Sequence, residues 1–153
     1  MSVKAERVDY FLEKLRVLLR ESYGVFDDQH KCCDLTYSQC HTLTEIGAKS
    51  EISLVDLASS LGLDTSTLSR TIQSLVVLGL VTRKTNQKDR RYVSISLSKE
   101  GRKAYEAIGN LYYEFMTRVF DRIPVRKHEA VLEGLGLLAD AMKQANGPGR
   151  GGK

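Results

Sequence analysis

Residues 52–101 read ISLVDLASSLGLDTSTLSRTIQSLVVLGLVTRKTNQKDRRYVSISLSKEG, and their apolar spacing decides the fold. Ser53 stands where it caps a short helix carrying Leu54, Leu57, Ala58 and Leu61, and Gly62 stops it. Asp64 caps a second helix with a stripe of Leu68, Ile72, Leu75 and Val76, ending at Gly79. Two helices joined by a short glycine-containing turn have the spacing of a helix-turn-helix. Beyond it, residues 80–83 and 92–97 suit strands. The second strand alternates Val93, Ile95 and Leu97 on one side with Tyr92, Ser94 and Ser96 on the other. The intervening KTNQKDRR predicts an antiparallel hairpin with a basic tip, a wing on the helix-turn-helix.

Outward from this unit, Val8, Phe11, Leu12, Leu15, Leu18 and Leu19 follow helical spacing, predicting an amphipathic helix over 4–24 that Gly24 ends. DDQHKCCDL reads as a polar connection, and Thr36 caps a helix through Cys40, Leu43 and Ile46 that stops at Gly47. Ser98 caps a long helix with Ala104, Ile108, Leu111, Tyr112, Phe115, Val119 and Phe120 on its stripe, stopping near Arg122 before Pro124. A last helix carries Val131, Leu132, Leu135, Leu138, Ala139 and Met142, and the glycine-rich tail 147–153 is expected to be disordered. The fold class is therefore mainly α (α+β), a winged helix-turn-helix over about 36–97 with helical regions at 4–26 and 98–145 in a single domain of residues 1–146.

Composition narrows the function classes. The chain has 153 residues, 42% hydrophobic and 27% charged, enough for a core without a disulfide or metal staple. No apolar run approaches the roughly 18 residues that span a bilayer, and charges interrupt the N-terminus, so a soluble cytoplasmic protein with no membrane partner is expected. The net charge of +4 is unevenly placed. Residues 1–50 hold seven Lys/Arg against eight Asp/Glu, residues 51–103 nine against five, and residues 104–153 seven against six. The excess belongs to the winged unit, where Arg83, Lys84, Lys88, Arg90 and Arg91 face only Asp89, the pattern of a local polyanion contact.

The second helix of the pair adds chemistry to that charge. Thr65, Ser66, Thr67, Ser69, Arg70 and Gln73 leave its outer face without an acid after Asp64, unlike an ordinary solvated helix that mixes Glu with Lys. Short donors of this kind suit phosphates and base edges in a major groove, and the helix N-terminus offers free N–H groups to a phosphate. The basic hairpin tip suits a minor groove, whose negative potential attracts Arg.

These residues resemble the winged helix-turn-helix of the MarR (multiple antibiotic resistance regulator) family. The likeness runs through Leu57-Ala58 to Ser69-Arg70, Leu75 to Arg83 at the helix-to-strand passage, Asp89-Arg90-Arg91 in the wing, and Leu97 to Gly101 at the entry to the next helix. It implies a homodimeric transcriptional regulator, expected to be a repressor, on a pseudo-palindromic operator of double-stranded DNA. It places Thr65, Ser66, Thr67, Ser69, Arg70 and Gln73 at the major groove. Arg91 becomes the minor-groove residue, oriented by Asp89, with Arg83, Lys84, Lys88 and Arg90 nearby. Half-sites would lie roughly 34–36 Å apart. The dimer is also expected on physical grounds, because the first and last helices carry broad apolar stripes that a second copy would bury.

The signal is open at this stage. His30, Cys32, Cys33, Cys40 and His41 put three thiols and two imidazoles close together, suited to a soft metal or to thiol oxidation. The spacing matches no established zinc pattern, and Cys40 lies on an apolar stripe, so structural cysteines are the competing reading. Tyr23, Tyr37, Tyr112 and Phe115 would line a cleft for a small-molecule effector, or sit in the core. No cofactor is required. An enzyme is not expected, since a nucleophile and base adjacent on a helix point about 100° apart and no phosphate loop occurs. A winged-helix module for protein–protein contact is the alternative to DNA binding.

Overall fold

The computed structural model describes residues 3–85 and 93–146, without the side chains of residues 3 and 24–33. The elements are α1 (Val3–Cys33), α2 (Tyr37–Lys49), β1 (Glu51–Ser53), α3 (Leu54–Leu61), α4 (Thr65–Val77), β2 (Val81–Thr85), β3 (Val93–Leu97), α5 (Lys99–Phe120), a single 3-10 turn (Val125–Lys127) and α6 (His128–Asn146). They form two compact units, Met1–Leu35 and Thr36–Lys153. No helix among the described residues is long and apolar enough to cross a membrane.

The unit from residue 36 onward is a winged helix, as the apolar spacing predicts. Its core gathers one stripe from each element: Leu43 and Ile46 of α2, Leu57 of α3, Leu68, Ile72 and Leu75 of α4, Ile95 of β3 and Ile108 of α5 are all essentially inaccessible. Burying each such side chain contributes roughly 1.5–3 kcal/mol. Val76, expected with them, is only half-buried.

The sheet is antiparallel in the order β1-β3-β2. Ile95 stands opposite Ile52 on one side and Arg83 on the other, so Ser94 and Ser96 share a face with Thr82 and Lys84. Strand β1 is absent from the sequence reading: three residues are too short for a period of two to register, and the strand exists through its pairing with β3.

Four of the predicted caps are present. Thr36 forms a capping box with Gln39, Ser53 accepts from the Asp56 N–H, Asp64 from the Thr67 N–H, and Ser98 from the Gly101 N–H. Gly62 ends α3 with φ of 64°, and Gly79 closes α4 with φ of 73°. At Gly79 the Leu80 N–H reaches the Leu75 carbonyl and the Gly79 N–H the Val76 carbonyl, satisfying two otherwise orphaned acceptors.

Two glycines read as helix stops are not stops. Helix α1 runs through Gly24 to Cys33, and α2 through Gly47 to Lys49. An interior glycine weakens a helix by only about 1 kcal/mol, which does not end it unless the chain also turns to positive φ. That turn falls instead at Asp34 (φ 52°) and Ser50 (φ 66°). At Gly47 the missing side chain serves packing, because a Cβ there would overlap the Tyr105 ring of α5.

The junction of the helix-turn-helix with α5 is the tightest point. Ser98 donates its hydroxyl to the Gly79 carbonyl (2.6 Å), its N–H to the Leu80 carbonyl (2.9 Å), and accepts from the Gly101 N–H (2.9 Å). A Cβ on buried Gly101 would overlap the Leu80 carbonyl oxygen, a backbone atom that cannot step aside. Gly101→Ala is therefore expected to lower unfolding free energy by roughly 1–3 kcal/mol, the usual cost of overpacking. Urea unfolding of the two proteins would check it; an unchanged midpoint would contradict the close approach.

Candidate nucleic-acid interface

Helix α4 presents the predicted face. Thr65, Ser66, Thr67, Arg70 and Gln73 are exposed and Ser69 is half-buried, while Leu68, Ile72 and Leu75 hold the opposite side in the core. Asp64 gathers the leading edge: its carboxylate accepts from the Thr67 N–H (2.8 Å), the Ser66 hydroxyl (2.6 Å) and the Thr67 hydroxyl (2.6 Å). These donors, the Ser66 hydroxyl first, hold the Asp64 carboxyl well below the usual carboxylate range. The N-terminus of α4 thus carries a capping carboxylate that accepts one of its N–H groups.

Two contacts missed in the sequence set the helix in place. Arg83 of β2 donates from Nη2 to the Ser69 carbonyl (3.1 Å), bracing the base of the wing against the middle of α4. Gln39 of α2 completes its capping box by accepting from the Thr36 N–H (2.8 Å), and its Nε2 donates to the Ser74 hydroxyl (3.0 Å) on α4. Ser74 in turn donates to the Thr71 carbonyl (2.8 Å). The S/T-x-x-Q cap was legible; its second use was not, because the partners are 35 residues apart.

Arg83 and Lys84 are exposed on β2. Lys88, Asp89, Arg90 and Arg91 lie outside the described residues, as does Tyr92.

The remaining candidate residues divide between the two units. Residues 30–33 form the last turn of α1 where a polar connection was expected, and the side chains of His30, Cys32 and Cys33 lie outside the described ones. Cys40 is buried at 4% exposure, whereas neighbouring His41 is exposed and stacks on Tyr37, with ring centroids 5.9 Å apart. Consecutive helical positions separate these two residues, one inward and one outward. Tyr23 is exposed on α1; Tyr112 and Phe115 are half-buried on α5, where the Arg118 guanidinium lies 6.0 Å from the Phe115 ring centre.

A three-stranded sheet packed on a helix-turn-helix, with an exposed acid-free second helix, defines a winged helix-turn-helix protein. Residues 34–91 match the model of the MarR family. The uncharacterized HTH-type transcriptional regulator YfiV of Bacillus subtilis (strain 168) is 22% identical over 143 residues, covering 94% of this chain and 89% of its own. Among solved structures, Streptococcus pneumoniae FabT in complex with DNA superposes with a TM-score of 0.76 at 16% identity, over 92% of this chain and 99% of that one. An S. aureus MepR–DNA complex gives 0.73 at 22% identity, over 86% and 97%. At these identities the structural likeness shows the fold.

The Asp64 cap carries a pH signature. Its folded-state pKa lies below the unfolded value of about 3.8, so the cap's contribution is complete above that range and is lost as pH falls through and below it. Asn caps equally well but does not titrate. Asp64→Asn should therefore lose less stability than wild type between about pH 5 and pH 2, compared by urea unfolding at each pH. Parallel acid profiles would remove the ionised cap.

Proposed function

We propose that this chain is a MarR family transcriptional regulator, a cytoplasmic repressor that binds a pseudo-palindromic DNA operator as a homodimer. The observation that carries the reading is α4: its outer face is exposed and free of acids beyond the cap, and its inner face is locked into the core so that it is presented rigidly. In this reading Thr65, Ser69, Arg70 and Gln73 approach the major groove, with Ser66 and Thr67 at the leading edge. Arg83, Lys84, Lys88 and Arg90 lie along phosphates, and Arg91 enters the minor groove with Asp89 holding its fork. Arg83 serves twice, since it already anchors β2 to α4. The DNA complexes of FabT and MepR, which share the fold, support DNA binding as the use of this fold.

Titrating the protein by fluorescence anisotropy against the DNA flanking its own gene tests this. Affinity should fall steeply as salt rises, and Arg70→Ala and Arg91→Ala should each weaken binding by about tenfold or more. Binding that ignores salt, or no binding at low salt, would leave the winged helix as a protein-contact module.

The dimer reading is supported by apolar surface in both units. On α6, Val131, Leu132, Leu135, Leu137 and Met142 are 41–67% exposed and no described residue is buried; on α1, Leu12, Leu18 and Leu19 are 45–57% exposed. A closed two-fold interface built from these helices would cover such stripes. Leu135→Glu should yield a monomer in sedimentation analysis with helical content retained; a dimer surviving that charge would place the interface elsewhere.

The signal reading keeps both chemistries: a soft metal or oxidant at Cys32, Cys33, Cys40, His30 and His41, or a small-molecule effector beside Tyr23, Tyr37, Tyr112 and Phe115. The burial of Cys40 weighs against a metal site shared with His41, because a core sulfur is poorly placed to ligate with an exposed imidazole.

A further inference from the structure

We infer that Asp64 sets the hydrogen-bonding polarity of the leading edge of α4, so that Ser66 and Thr67 meet DNA as acceptors and select bases with an exposed major-groove amino group. The inference rests on the DNA-binding reading and deepens it from a contact surface to a base preference.

A hydroxyl carries one O–H and two lone pairs, and an ionised carboxylate only accepts. Asp64 is such a carboxylate, with one oxygen 2.6 Å from the Ser66 hydroxyl and the other 2.6 Å from the Thr67 hydroxyl. At that separation both hydroxyls must spend their single proton on Asp64. What remains on each oxygen is a pair of acceptor sites, and both residues are exposed.

In the major groove, amino hydrogens are offered by adenine N6 and cytosine N4, whereas guanine O6 and thymine O4 are acceptors. An edge made of hydroxyl lone pairs beside a carboxylate matches the first pair of bases and repels the second. It also repels phosphate oxygens, which are acceptors only. Ser66 and Thr67 therefore read base edges, and the phosphate and keto contacts fall to the donors of Arg70, Gln73 and the wing. The composition of the helix, rich in hydroxyls, conceals this division because Ser and Thr are ordinarily counted as donors.

Selection of bound duplexes from a randomised pool tests the assignment with four proteins: wild type, Thr67→Val, Ser66→Ala and Asp64→Asn. Valine keeps the shape of threonine and the Thr67 backbone cap while deleting the oxygen. The wild type should prefer adenine or cytosine at the operator position whose preference collapses in Thr67→Val or Ser66→Ala, with an affinity loss there of roughly three- to tenfold, the worth of one hydrogen bond. Asp64→Asn should shift the Thr67-dependent preference toward guanine or thymine, because the Asn amide donates to the Thr67 oxygen and turns its proton outward, while its Oδ1 still accepts from Ser66. A keto base chosen by wild type, an unshifted Thr67-dependent preference in Asp64→Asn, or no position sensitive to either deletion would each overturn the inference while DNA binding stands. Failure of the wild type to enrich any duplex would overturn the DNA-binding reading itself, and this inference with it.

Discussion

The winged unit depends on one constraint, the contact between Gly101 and the Leu80 carbonyl, closed by Ser98. Here the end of α4, the start of β2, the end of β3 and the start of α5 meet within a few residues of backbone. The Ser98 side chain both caps α5 and holds the Gly79 carbonyl, so the left-handed turn that ends α4 and the first turn of α5 are fixed against each other. The short motif from Leu97 to Gly101 thus has a physical reading residue by residue: a cap, an acid in the first turn, and a glycine where only hydrogen fits.

From that junction the presentation of α4 follows. Its core stripe fixes rotation about its own axis, and three polar ties fix its position along it. Asp64 closes its N-terminus, Arg83 holds the Ser69 carbonyl at its middle, and Gln39 holds Ser74 near its end. The proposed reading of base edges would need such rigidity, since a side chain displaced by about an ångström loses the geometry of its hydrogen bonds. Arg83 and Asp64 accordingly serve the scaffold as well as the surface.

Much of this was legible in the chain. The caps at Thr36, Ser53, Asp64 and Ser98, the turns at Gly62 and Gly79, and the stripe of Leu68, Ile72 and Leu75 are local signals, and local signals survive into the fold. What was misread was glycine at 24 and 47. Both sit inside helices, and the terminating positive φ falls on Asp34 and Ser50, residues that adopt it less readily and so advertise it less. The extension of α1 carries Cys32 and Cys33 onto helix, while Cys40 and His41 part company across α2, one in the core and one in solvent.

By itself, then, the sequence determined the winged helix-turn-helix, the amphipathic helices on either side of it, and the concentration of positive charge in the middle third, because each of these depends on spacing within a few turns or on simple summation. Only the tertiary structure decided which polar groups remain available. The Ser66 and Thr67 protons are committed to Asp64, one Arg83 donor to Ser69 and the Gln39 amide to Ser74. The last two are pairings between elements distant in sequence, where no local periodicity specifies a partner, and the first depends on which way an oxygen spends its only hydrogen, a matter of geometry rather than composition.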